Sequence, residues 1–211
     1  MSPKSPLYSQ VEPFSRPSDR RAAVELLQTV VPFLALAAAM MFLAGRGRWW
    51  IALPLALPAS AFLVRTFIVF HDCCHGSFFR SRRANRWVGY FTGLLTLTPF
   101  ERWQRSHAEH HATVGDLDRR GSGDVWTLTV AEFRAASPFM RLYYRVFRNP
   151  FVMLGVGPAL LFVIGNRWPP PDAGRRERFS VHFTNAGILA TLAAVYFTVG
   201  LKVFLLTQLP T

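Results

Sequence analysis

Residues 26–44 contain no charged side chain, and this run constrains the fold more than any other feature of the chain. A hydrocarbon layer about 30 Å thick is crossed by about 20 apolar residues of helix, and in lipid only helices or closed barrels satisfy their own backbone groups. Similar apolar runs occupy residues 49–70, 150–166 and 186–206. The expected class is an all-α integral membrane protein of about four transmembrane helices, with interfacial helices between them. Pro32 is tolerable as a kink in the first span, because neighbouring helices can satisfy the carbonyl it frees. Trp49 and Trp50 follow a short turn at residues 45–48 and are placed like interfacial anchors. Arg65 and Lys202 lie near span ends, where a long basic side chain can snorkel to the headgroups; Arg65 could equally face the protein interior.

The remaining segments are too short or too polar to cross. Residues 87–100 are apolar but fall short of a crossing, so they are expected to lie in the interface or to re-enter it. Residues 125–149 set Arg134, Arg141, Arg145 and Arg148 among aromatics, as in a helix lying along a membrane surface. Residues 167–185 form a polar stretch in which Pro169, Pro170 and Pro171 exclude a helix. Residues 1–21, with Pro3, Pro6, Pro13 and Pro17 among serines and charges, are expected to be a mobile tail, and residues 22–211 one membrane domain. The first apolar run begins too far from Met1 for a secretory signal peptide. No internal repeat is visible.

With 24 Lys and Arg against 12 Asp and Glu, the formal net charge is +12 and the pI about 11.1. Such an excess can serve nucleic acid, but here the arginines are interleaved with long apolar runs and form no soluble basic face. Residues 1–25 and 71–149 carry most of the basic side chains, so the positive-inside rule places both on the cytoplasmic side, in a bacterial cell at the inner membrane.

Chemistry is concentrated in HDCCH at 71–75 and HAEHH at 107–111, which hold every histidine but His182. On a helix, residues three or four apart share a face, so His71 joins His75, and His107 joins His110 and His111. Grouped imidazoles cannot all be protonated cheaply, and a divalent transition metal takes them as neutral nitrogen ligands. Ligands of one site cannot be separated by a bilayer, so both clusters belong on one side. The zinc-protease pattern H-E-x-x-H is absent, since Asp72 follows His71 and Ala108 follows His107. Asp72 is suited to orienting an imidazole through its second nitrogen. Cys73 points away from the face that carries His71 and His75, so it and Cys74 are expected to be packing residues.

HDCCH followed by HAEHH resembles the first two histidine boxes of the membrane fatty acid desaturases. The continuation ATVGDLDRRGSGD and then TLTVAEF at 127–133 is similar to the acyl-lipid omega-6 and omega-3 branch. The resemblance covers roughly residues 20 to 205. It implies two irons held by His71, His75, His107, His110 and His111, and a reaction that inserts a double bond into a membrane-lipid acyl chain. It also implies O2 and an electron donor such as ferredoxin, and a supporting role at the metal for one of Asp116, Asp118 and Asp124. Family members carry a third box, H-x-x-H-H or Q-x-x-H-H, after their last span, and residues 1–211 contain none; the spare His182 is expected across the membrane from the other five. The domain is therefore expected to be C-terminally incomplete and the 211-residue chain inactive by itself. A related di-iron hydroxylase or ketolase would use the same boxes, and a non-catalytic metal-binding membrane remnant would keep them.

Overall fold

The structure is a computed structural model that describes residues 17–120 and 125–211, and every described element is helical. Asp124 and most of the expected tail lie outside the described residues. Two compact units are present: residues up to 96 with residues 186–211, and residues 97–185.

The first unit contains α1 (Asp19–Gly45), the short α2 (Trp49–Ala52) running through a 3-10 turn (Leu53–Leu55) into α3 (Ala56–Cys74), and α4 (Arg82–Leu95). To it belong the later turns of α9 (Arg175–Thr198) and the short α10 (Leu201–Gln208). Residues 19–45, 49–74 and 175–198 are each long and apolar enough to cross a membrane. Small side chains set the packing of α1 on α3: Met40, Ala56 and Ala59 form a core closed by Leu36 and Leu55, with Ala37, Ala44 and Ala52 buried beside it. Helices in lipid gain little from the hydrophobic effect against each other, so small residues matter by letting backbones approach. Hydroxyls in these helices bond back to their own preceding turn, Thr66 to Phe62 O (2.8 Å), Thr92 to Val88 O (2.7 Å) and Thr207 to Val203 O (2.9 Å). This satisfies each donor without water. Arg65 does not snorkel alone: it forms an ion pair with Glu25 of α1.

The second unit contains α5 (Phe100–Thr113), α6 (Val130–Ala135), α7 (Pro138–Phe147), a π turn (Val152–Val156), α8 (Gly157–Val163), a 3-10 turn (Gly165–Arg167) and the first turns of α9. Local sequence explains its hairpin. The Thr129 side chain accepts from the Glu132 N–H while Glu132 accepts from the Thr129 N–H, a reciprocal cap that starts α6. Ser137 caps α7, and Pro138 occupies the first turn, where its missing N–H costs nothing. Trp126 packs edge-on against Tyr144 and Phe147, with ring centroids 5.1 and 5.7 Å away.

The expected crossing at 150–166 is present as the helical segment 152–167, which qualifies as a span only together with α7, at a bend of 61°. Two expectations are corrected. Residues 175–185, read as polar loop, are helix, because the proline block ends at Pro171 and nothing beyond it forbids helical dihedrals. His182 consequently sits on α9. The helix stops at Thr198, before Gly200 at φ +87°, a conformation that favours glycine, so residues 201–208 form a separate helix.

Candidate metal centre

In the first unit α3 ends in the first histidine cluster. Its buried face runs Ala59, Thr66, Val69, Phe70 and Cys73, with Phe70 fully buried, and the opposite ridge carries His71 and His75. The two rings are 4.5 Å apart and their Nε2 atoms 3.3 Å apart. His71 Nδ1 lies 3.2 Å from the Asp72 carboxylate. A carboxylate only accepts, so this contact places the ring proton on Nδ1 and leaves the Nε2 lone pair directed toward His75. Cys73 and Cys74 are buried packing residues, as expected.

The chain then turns sharply at Gly76, φ +68°, where the Gly76 N–H bonds Cys73 O and the Ser77 N–H bonds Asp72 O. Asn85, on α4, fastens the following loop: its Oδ1 accepts from the Phe79 N–H (2.9 Å), and its Nδ2 donates to Phe79 O (2.7 Å) and Ser81 O (3.1 Å). Arg80 ties the same loop to Asp19 at the start of α1.

In the second unit α5 carries His107, His110 and His111. The rings of His107 and His111 are 4.4 Å apart and their Nε2 atoms 3.0 Å apart. The His110 ring lies 6.0 Å from that of His107, so the closest pair on this helix is 107 with 111. Trp103, one turn earlier, stacks on His107 at 4.2 Å and 22°, restricting its ring. Arg105 anchors the helix: Nε donates to Glu109 (3.0 Å), Nη1 to the largely buried Glu177 (3.1 Å) and Nη2 to Asp172 (2.5 Å). These bonds hold the Asp172 carboxyl below the usual carboxylate range and raise the Arg105 guanidinium. The Glu101 N–H bonds Ser180 Oγ at 3.0 Å, and Arg102 donates to Gly165 O at 2.9 Å. Asp116 is engaged in a turn, accepting from Arg119 Nε (2.7 Å) and from the Asp118 N–H (3.0 Å).

Each pair fits a metal on its own geometry. Two nitrogens at about 2.1 Å from one metal and at a right angle lie about 3.0 Å apart, close to both Nε2 separations. In each pair the first histidine is half-buried and the second exposed, leaving an open approach for an ion. Sequence reasoning found the histidines and Asp72 but missed Trp103, Arg105, Glu177 and Asn85. Trp103 was legible in principle, because its spacing to His107 is that of a helical neighbour. The tie between Arg105 and Glu177 spans 72 residues and left no local signal, whereas Asn85 bonds Phe79 and Ser81, only four to six positions away.

Comparisons with known proteins agree with these features. Residues 48–210 match the sequence model of the fatty acid desaturases. The chain is 44% identical over 204 residues to a fatty acid desaturase of Bacillus subtilis, covering 97% of this chain and 58% of that protein. It is 33% identical over 107 residues to an sn-1 oleoyl-lipid 12-desaturase of Synechocystis, covering 50% of this chain and 30% of the relative. A Synechocystis sn-1 acyl-lipid omega-3 desaturase (ferredoxin) is 44% identical over 52 residues, 25% of this chain and 14% of its own. The chain thus spans well under two thirds of the length of these relatives. No solved structure matches it. Matched over most of its length, the chain belongs to the fatty acid desaturase family.

Proposed function

We propose that the two histidine pairs jointly hold the iron of a membrane fatty acid desaturase, which introduces a double bond into a lipid acyl chain. The supporting observation is the repeated geometry: two helices each present an i, i+4 imidazole pair at ligand spacing, in a chain of this family. The reaction converts –CH2–CH2– to –CH=CH–, consuming O2, two electrons and two protons and releasing two waters. Iron bound there would supply the oxidising power that side-chain acid–base groups lack toward an unactivated methylene. His71, His75, His107 and His111 are its ligands, with His110 as a further donor. Asp72 keeps the His71 proton on Nδ1, and Trp103 restricts the His107 ring. The electron donor is ferredoxin or a similar carrier, as one relative is named a ferredoxin-dependent desaturase. The histidine boxes face the cytoplasm, at the inner membrane of a bacterial cell, which the distribution of Lys and Arg supports.

Lipid analysis of cells expressing the protein tests this reading. New double bonds in host acyl chains are expected from a chain extended through a third histidine box, with their loss on replacing His107 with alanine, and none from residues 1–211 alone; hydroxylated or oxo products would assign a different oxidation. A cysteine at Ala84 should react with an impermeant label only from the cytoplasmic side, and labelling from outside would reverse the orientation.

A further inference from the structure

The hairpin of α6 and α7 encloses an open cleft of about 500 Å³, within the range of small-molecule sites. Leu128, Val130, Phe133 and Tyr144 line its apolar part. Thr129, Arg134, Arg145 and Arg148 line the rest, and no acidic residue does among the described residues. The acid nearest in sequence, Glu132, is already engaged: Arg120 donates to both of its oxygens at 3.0 Å, and the Thr129 N–H adds a bond at 2.7 Å. Arg145 lies over the Phe133 ring at 5.6 Å, joining the basic and apolar walls. Among the described residues, no carboxylate pairs with Arg134, Arg145 or Arg148.

Beside the cleft, α7 leaves Phe139 76% and Leu142 59% exposed, with Tyr143 and Val146 also uncovered. Unneutralised arginines above apolar side chains describe a helix at headgroup level, its apolar side in the acyl region and its guanidinium groups beside phosphates. We propose that this cleft seats one anionic phospholipid, its phosphate held by Arg134, Arg145 and Arg148 and the first part of an acyl chain laid against Leu128, Val130, Phe133 and Tyr144. An acidic protein partner would answer the charge but leave that apolar wall wet. The proposal rests on the chain residing in a membrane and is independent of its chemistry.

The test is lipid retention by the full chain. Purified protein in nanodiscs of phosphatidylcholine and phosphatidylglycerol is extracted with detergent, and bound lipid is counted by native mass spectrometry. Retained lipid should favour phosphatidylglycerol by at least about fivefold, the worth of one basic residue near an anionic surface. Replacing Arg134, Arg145 and Arg148 together with glutamine should abolish the preference. Val130→Trp, which fills the cleft at constant charge, should cut retention at least about fivefold, and its helical content shows that it is folded. Equal loss in a control with Arg20, Arg21 and Arg83 changed to glutamine would reduce the effect to net charge and overturn the seat. So would a preference that survives the triple substitution, retention unchanged in Val130→Trp, or a triple variant that loses only the binding of an acidic electron donor.

Discussion

His71 with His75 and His107 with His111 are both i, i+4 pairs with nearly equal ring spacing, yet different forces hold them. The first pair terminates a helix whose other face is buried to the last turn, with Phe70 and Thr66 fully enclosed and Cys73 nearly so. The second stands on a helix with a single buried residue, Phe100, kept in place by directional ties from Arg105, Arg102 and Glu101. Burial is non-directional and is not screened by salt, whereas exposed ion pairs are individually weak and screened. The second pair should therefore be the more adjustable of the two, and the first the more fixed.

Removing a ligand should have the largest effect. His71→Ala and His107→Ala are each expected to lower metal affinity by more than about 100-fold, beyond the 10- to 100-fold that loss of an outer partner costs. Isothermal titration with ferrous ion under anaerobic conditions measures this. The difference between the pairs is sharpened by Phe70→Ala, which should lower stability by about 3–5 kcal/mol through the cavity it leaves. Detergent unfolding curves should show that loss equally at low and high salt.

Glu177→Gln with Asp172→Asn releases Arg105 and should weaken metal binding by about tenfold, as for other outer-partner losses. Wild-type affinity should fall with added salt while the double variant responds less. Equal salt dependence in the two proteins would remove the contrast. Asp72→Asn should cost up to about tenfold, with no added salt dependence, since the residue acts on one tautomer.

The smallest effect concerns acid. Arg120, and then Thr129, hold the Glu132 carboxyl down from 4.5 to about 2. A depressed carboxyl stabilises above its unfolded pKa, so the cap on α6 should be complete above about pH 4.5, weaken below it and be gone below about pH 2. Hydrogen exchange at Phe133 should speed up on acidification across that window, and Glu132→Gln should flatten the response.

Apolar run length made the crossings legible, and helical spacing made the histidine pairs legible, because both are local properties of the chain. The break between α7 and the 152–167 segment was legible at Pro150, which disfavours helical dihedrals at Asn149, while its 61° angle left no local signal. The helical start at Arg175 was hidden by the proline block just upstream. At the candidate centre, Asp72 was readable because it adjoins its histidine, while Glu177 lies 72 residues from Arg105 and reaches it only through the fold.

The most direct measurement is the metal content of the purified protein beside variants that remove one pair at a time, His71→Ala with His75→Ala and His107→Ala with His111→Ala. Iron that co-purifies with the wild type and is lost from both variants is the expected result. Iron retained after loss of either pair, or zinc alone in the wild type, would contradict a shared iron centre.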